Sequence, residues 1–178
     1  MVSTPMPFAL ELCGLVKHYR AGAGSCRASL AVLRGVDLTL DSGELVAVSG
    51  AHGSGTSTLL LCAAGLLRPD AGDIAWFGDR ARAAAVENAL YIAATGPARR
   101  AAPILLVDAP FGLDAPARAW LARRRSLGNA ILLATHDEAL VARHADRCFQ
   151  LREGVLHPAQ TASARVAERA WRGTARVR

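Results

Sequence analysis

A glycine-rich stretch at residues 49–58, SGAHGSGTST, holds the residue types that bind phosphate groups. Its glycines allow backbone N–H groups to close around phosphate oxygens, and a helix that follows adds the positive end of its dipole. A complete motif of this kind also carries a lysine for the β- and γ-phosphates and a hydroxyl for Mg²⁺. Ser57 supplies the hydroxyl, whereas Thr56 stands at the position of the lysine. The residues expected to wrap the phosphates are Gly50, Gly53, Ser54, Gly55, Thr56, Ser57 and Thr58.

The pattern on either side of this loop predicts the elements that must position it. ELVAVSG, residues 44–50, is a short apolar run typical of a buried strand, and it ends at the loop. The cap-type residues at 56–58 and the apolar stretch up to Gly65 predict a helix that begins at once. Strand, glycine loop and helix in this order are the context that phosphate binding requires.

The rest of the chain alternates strand and helix patterns. Buried strands are predicted at 103–108 and 129–135, helices at 116–127 and 136–145, strand-like segments at 10–19 and 30–40 around a turn at 20–29, and two short strands within 146–156. Residues 79–102, mostly Ala and Arg, give only a brief strand-like ALYIA. Continuous apolar strands that alternate with helices favour an α/β fold with a parallel sheet covered on both faces.

Length and composition limit the classes of protein. With 178 residues, 52% of them hydrophobic, we expect one core domain at 8–157 and a basic C-terminal tail at 158–178. No run has the roughly 20 apolar residues of a membrane-spanning helix, and the N-terminus lacks the layout of a secretory signal. We therefore expect a cytoplasmic location. The cysteines lie too far apart for a zinc site, which favours reduced thiols; they are Cys13, Cys26, Cys62 and Cys148.

The net charge of +6 comes almost entirely from arginine, since Lys17 is the only lysine among 21 basic residues. Such a surface suits nucleic acid, anionic lipid or an acidic protein face. Compositional bias in an alanine-rich chain explains the arginines equally well. ARRRSL at 122–127 and the arginine-rich tail are the segments that favour a binding role. No aromatic platform is interleaved with them, which argues against the stacking of single-stranded bases.

Several stretches, taken in order, resemble the nucleotide-binding subunit of ABC transporters. LVKHYR resembles its first strand, LRGVDLTLDSGELVAVSG the approach to its Walker A loop, and LLCAAGLLRPDAGDIAWFG the helix and turn that follow. ILLVDAPFGLD is similar to the Walker B strand and D-loop, ILLATHD to the segment of the switch histidine, and ADRCFQLREGVL to the closing hairpin. The resemblance implies a P-loop NTPase-like, mostly parallel sheet flanked by helices, with an antiparallel β part at the N-terminus.

The resemblance also implies roles for single residues. Tyr19 would stack on adenine, the Gly50 to Thr58 loop would wrap the phosphates of ATP, and Ser57 would bind Mg²⁺. Asp108 would bind Mg²⁺ directly or through water, and His136 would sense the γ-phosphate. Purely structural readings stay open: Tyr19 as a packing residue, Asp108 as a helix cap, and His136 as the start of a helix.

This chain departs from the pattern of the family at several positions. Thr56 replaces the lysine of the loop, and the only lysine of the chain, Lys17, lies in the first strand segment, away from the loop in sequence. Ala109 occupies the place of the carboxylate that polarises the attacking water, which removes general-base help worth roughly 100- to 10,000-fold. The D-loop is one residue short, which displaces Asp114, and Ala94 stands in the place of the Q-loop glutamine.

The segment between Thr56 and Asp108 is too short for the helical subdomain of the family, and the LSGGQ signature is absent. We therefore expect weak binding of ATP and Mg²⁺ with impaired hydrolysis, in a protein at the inner face of the cell membrane. The expected partners are an intact ABC ATPase subunit and a membrane permease, through which alone the chain would meet the membrane. The alternatives are an inactive decayed product, an arginine-rich module for nucleic acid or anionic lipid with a vestigial loop, and, last, an enzyme of another reaction.

Overall fold

The computed structural model of the chain describes residues 8–21, 28–93, 102–109 and 112–159. The centre of the turn expected at 20–29, Cys26, Ala94 and the tail from residue 160 onward lie outside the described residues. Elements below are numbered in chain order.

An antiparallel sheet covers one side of the molecule. It contains β1 (Leu10–Ala21), β2 (Ala28–Leu40) and β4 (Ala71–Trp76) in the order β2-β1-β4. Side chains alternate along β1, so Leu10 and Leu12 point into the core while Glu11 between them is only partly buried. β2 contacts the glycine loop from this sheet, since Val32 lies beside Gly55.

A mostly parallel sheet forms the centre of the fold. Its strands are β3 (Leu45–Ser49), β5 (Ala89–Ala93), β6 (Ile104–Ala109), β7 (Ala130–Thr135), β8 (Arg147–Arg152) and β9 (Val155–Pro158). Their order is β5-β6-β7-β3-β8-β9, and only β9 runs antiparallel to its neighbour. Every residue of β6 and β7 is buried, as expected for strands covered on both faces.

Helices lie on both faces of this sheet: α1 (Thr56–Ala63), α2 (Arg82–Asn88), α3 (Ala115–Ser126) and α4 (Glu138–His144). α1 packs with the even-numbered residues of β3, β6 and β7, and α3 and α4 pack with the odd-numbered ones. The α/β fold class with its N-terminal antiparallel part is thus confirmed. The helix α2 was not predicted from the sequence, because its Ala and Arg residues form no apolar stripe with helical spacing. Within the described segments, no helix is long and apolar enough to cross a membrane.

Two arginines fasten the outer elements to the central sheet. Arg147 bonds both carboxylate oxygens of Glu44 and the backbone oxygen of Thr39, so β8 is tied to the end of β2. Arg125 of α3 bonds Asp146 and the backbone oxygen of His144, so α3 is tied to the turn between α4 and β8.

Candidate functional site

The glycine loop joins the buried strand β3 to α1, as the sequence predicts. Gly55 is the N-cap of α1 with φ of 101°, and this N-cap makes no side-chain hydrogen bond to the first turn. The expected capping by residues 56–58 is therefore not seen. The first intrahelical bond runs from Leu59 N–H to Gly55 O at 2.9 Å. The N–H groups of residues 56–58 precede this bond and have no acceptor within the helix. They are the donors available to a bound anion.

The three glycines of the loop are required for different reasons: Gly50 by packing, Gly53 by its backbone angle and Gly55 by both. A Cβ on Gly50 would lie 2.3 Å from Ser54 Oγ, and one on Gly55 would lie 2.4 Å from Val32 Cγ1. Gly53, with φ of 78°, faces open space. Ser54 Oγ is buried and has no hydrogen-bond partner among the described residues. A closed turn with an unsatisfied hydroxyl fits a loop whose polar groups await a ligand.

The carboxyl ends of β3, β7 and β6 meet at the loop. Val48 pairs with Ala134, and Ala134 pairs with Asp108, so these residues form one row across the sheet. Side chains in one row of a sheet point to the same face, and Val48 and Ala134 belong to the core cluster that contains α1. Asp108 therefore lies on the face of α1, at the edge where the loop begins.

Asp108 is 8% exposed, and its Oδ2 accepts a hydrogen bond of 2.9 Å from the hydroxyl of Tyr91 on β5. Among the described residues no helix begins at Asp108, since the N-cap of the helix that follows β6 is Asp114. Burial and the hydrogen bond to Asp108 raise the pKa of Tyr91 to about 12. Sequence reasoning missed Tyr91. The only signal was a lone polar aromatic in the short strand ALYIA.

Tyr19 reaches the loop from the antiparallel sheet. Its hydroxyl lies 3.4 Å from Thr58 Oγ1, within hydrogen-bonding distance, and Thr58 is in the first turn of α1. Tyr19 remains 41% exposed. The residue therefore lies beside the phosphate loop with much of its surface open to solvent, and its stacking on adenine stays a prediction.

His136 is exposed and immediately precedes Asp137, the N-cap of α4, whose side chain accepts the Leu140 N–H at 2.9 Å. Its position at the start of a helix agrees with the structural reading of this histidine. A pocket of about 570 Å³ nevertheless has Gly50, Ala51 and His136 together in its wall. The histidine and the beginning of the loop thus face a shared space.

Three residues at or near the departures from the family pattern make structural contacts of their own: Lys17, Ala109 and Asp114. Lys17 bonds Asp70 at 3.1 Å and the backbone oxygen of Arg68 at 2.8 Å, so its ammonium is engaged outside the loop. The N–H of His18 and the Lys17 ammonium hold the pKa of Asp70 below its usual value. Ala109 is fully buried in the cluster on the α3 and α4 face, away from Asp108. Asp114 caps α3 by accepting the Ala117 N–H.

The donor set suits Mg²⁺ held together with a nucleotide better than a metal held by protein alone. In the described part of the chain, no group of three or more His, Cys, Asp and Glu side chains could hold a metal. Mg²⁺ commonly binds through one or two carboxylates plus substrate phosphates and water. Asp108 and the Ser57 hydroxyl, at the loop edge and the N-terminus of α1, match that pattern.

The arginines of α3 are partly committed to internal contacts. Arg125 bonds Asp146, and the Arg124 guanidinium lies 5.9 Å from the centre of the Trp120 ring. Arg118 and Arg123 are exposed. Two of the four arginines of α3 therefore make contacts within the fold, which leaves the arginine-rich binding alternative a smaller surface on this helix than the sequence indicates.

Known proteins match both the loop segment and the fold. Residues 33–95 match the family model described as ABC transporter. The nickel import ATP-binding protein NikE of Shigella flexneri is 46% identical over 71 residues, which are 39% of this chain and 26% of NikE. The lipoprotein-releasing system ATP-binding protein LolD 1 of Caulobacter vibrioides is 45% identical over 75 residues, 42% of this chain and 30% of LolD 1. The matches thus span less than a third of either relative.

Solved ATP-binding cassettes share the fold over most of the chain. A nucleotide-free cassette of an ABC transporter superposes with a TM-score of 0.69 at 13% identity, covering 90% of this chain and 94% of that one. The cbiO1 protein of Clostridium perfringens, part of the complex cbiONQ, gives 0.66 at 19% identity with 92% of each chain covered. The fold that the resemblance implies is therefore confirmed, and the sequence matches support the resemblance itself around the glycine loop.

Proposed function

We propose that this chain, an ABC-type nucleotide-binding domain by its fold and by the match across its glycine loop, holds Mg²⁺-ATP weakly and hydrolyses it poorly or not at all. In this proposal the chain is a regulatory or structural subunit at the cytoplasmic face of a membrane. It pairs there with an intact ABC ATPase subunit and a membrane permease.

The observation that carries the proposal is that the site keeps the elements that shape it but lacks the groups that supply charge and reactivity. The elements that shape a phosphate cradle are in place: the closed glycine turn, the uncapped N-terminus of α1, and Asp108 on the face of that helix. The groups that add charge and reactivity are replaced, because Thr56 cannot supply a cation and Ala109 is a buried methyl group on the opposite face.

In this proposal, different residues of the chain bind the phosphates, the adenine ring and Mg²⁺. Backbone N–H groups at the start of α1 would donate to the phosphates, and Tyr19 would cover the adenine ring. Ser57 and Asp108 would hold Mg²⁺, which neutralises phosphate charge when it is bound. His136 would face the terminal phosphate from the end of β7.

Magnitudes favour the loss of hydrolysis over the loss of binding. One missing charge-assisted contact to phosphate costs about 1.5–3 kcal/mol, or roughly 10- to 100-fold in affinity. Phosphoryl transfer depends on positioning and on electrostatic stabilisation of the transition state. Absence of the lysine, the general base and a signature motif together removes most of those contributions.

NikE is named as a nickel import ATP-binding protein, and LolD 1 as the ATP-binding protein of a lipoprotein-releasing system. These names support membrane-linked partners for this chain. They leave the transported substrate open, since the matched segments span a minor part of each relative.

The proposal is tested by calorimetric titration of the purified chain with Mg²⁺-ATP beside the variant Thr56→Lys. We expect millimolar affinity for the native chain and about 10- to 100-fold tighter binding for the variant. Thr56→Met, which adds similar length without charge, is the matched control and should bind no more tightly than the native chain. ATP turnover should stay at background for all three.

A well-folded chain that binds no ATP, and that gains nothing from Thr56→Lys, would contradict the proposal. Substantial turnover by the native chain would contradict its second half.

A further inference from the structure

Tyr91 lies on the same face of the central sheet as Asp108 and one step further from the loop. On β5 and β6, Tyr91 pairs with Leu106, and Ala93 pairs with Asp108. The phenol ring packs against the core cluster that contains α1. From this position its hydroxyl extends along the sheet to Oδ2 of Asp108 at 2.9 Å.

The neighbours of Asp108 in its own row offer it no polar contact. Ala93 on one side and Ala134 on the other present methyl groups to the carboxylate. Tyr91 is the one side chain of the described residues for which a hydrogen bond to Asp108 is found. Within the described residues, this phenol is therefore the side chain in a position to orient the carboxylate.

We propose that Tyr91 is a positioning residue of the Mg²⁺-nucleotide site, holding Oδ2 of Asp108 so that Oδ1 is presented to the metal. The inference rests on the function proposed above. Carboxylates that bind metals are oriented by hydrogen bonds from neighbouring groups, and loss of such a bond typically weakens metal affinity about 10- to 100-fold. The phenol is the donor in this hydrogen bond, because an ionised carboxylate has no proton to donate.

A competing effect has the opposite sign. A hydrogen bond from Tyr91 withdraws charge from Asp108, so its removal alone would make the carboxylate a stronger ligand. If orientation dominates, Tyr91→Phe weakens the binding of metal and nucleotide. If charge withdrawal dominates, the same variant strengthens it. The sign of the change thus decides between the two roles.

The test compares ATP affinity in Mg²⁺ with ATP affinity in EDTA, for the native chain and Tyr91→Phe. The ratio of the two affinities is the metal enhancement. We expect Tyr91→Phe to lower this enhancement by about tenfold while its affinity in EDTA stays within about twofold of native. Asp108→Asn should abolish the enhancement, and Ser126→Ala, which removes an exposed hydroxyl on α3, should preserve it.

Three outcomes would overturn the inference: an unchanged enhancement, a larger one, or equal weakening in Mg²⁺ and EDTA together with a lower Tm. The last would make Tyr91 a packing residue. Absence of ATP binding to the native chain in both conditions would refute the proposed function itself, and the inference with it. Metal enhancement that survives in Tyr91→Phe refutes the inference alone.

A spectroscopic measurement on the native chain avoids dependence on the folding of a variant. With ¹³C at the Cζ atom of tyrosine, the chain gives two signals, from Tyr19 and Tyr91. We expect the Tyr91 signal to shift on addition of ATP with Mg²⁺ but not with ATP in EDTA. A Tyr91 signal that ignores the metal would contradict its role.

Discussion

Replacement of Gly55 by alanine tests whether the loop is as closely packed as the structure indicates. Gly55 has φ of 101°, and a Cβ there would lie 2.4 Å from Val32 Cγ1 and 3.1 Å from Val32 O. The second atom belongs to the backbone of β2, which cannot rotate away. Gly53 in the same loop has φ of 78° but no atom within 4 Å of an added Cβ. The two substitutions thus share backbone strain and differ in steric conflict.

The expected magnitudes follow from that difference. A non-glycine residue in left-handed backbone costs about 1–2 kcal/mol, which is the whole cost expected for Gly53→Ala. Gly55→Ala adds overpacking against β2, typically about 1–3 kcal/mol. We therefore expect Gly55→Ala to lower the free energy of unfolding by about 2–5 kcal/mol.

Urea denaturation of the native chain and both variants, followed by circular dichroism, measures these free energies. The m-values should agree among the three proteins, so that shifts in midpoint report stability alone. Equal losses for Gly53→Ala and Gly55→Ala would refute the packing of β2 against the loop.

Three further predictions concern other parts of the molecule. Tyr19→Ala should weaken ATP binding in calorimetry by about 1–3 kcal/mol, the usual value of one base stacked on an aromatic ring, and Tyr19→Phe should come close to native. Asp146→Ala removes the partner of Arg125 and the acceptor of the Leu45 N–H, so urea denaturation should show a loss of about 1.5–3 kcal/mol, with a smaller loss for Asp146→Asn. Burial raises the pKa of Cys62 from 9.0 to about 11. The native state therefore keeps the thiol protonated where the unfolded chain ionises it, so the stability present below pH 9 is lost as the pH rises to 11. Tm measured across that range should fall less steeply in Cys62→Ala, and an identical slope would contradict the burial of this thiol.

Local patterns predicted the central elements because their signals are short in range. The apolar runs that became β3, β6 and β7 needed no knowledge of their neighbours, since strands covered on both faces are hydrophobic throughout. The glycine loop was also predicted from a local pattern, since its residues are contiguous in the sequence. α2 was missed, because its only buried residues are the small Ala84 and Ala85, and these give a weak periodic signal.

Relations between distant segments could not be derived from local pattern. The row of Val48, Ala134 and Asp108 depends on strand order, which brings β7 between β3 and β6. The bond from Tyr91 to Asp108 depends on the register of β5 against β6. Both arise from pairing between chain segments far apart in sequence, so composition and periodicity carried no information about them.

The central claim, that the cradle retains its shape and binds nucleotide without the lysine, is tested most directly by amide NMR during titration with Mg²⁺-ATP. If the account is right, the backbone N–H signals of Gly53, Gly55 and Ser57 move together at millimolar ATP, while those of Arg118 and Arg123 on α3 stay in place. Loop signals that do not respond, or changes confined to the arginines of α3, would contradict it.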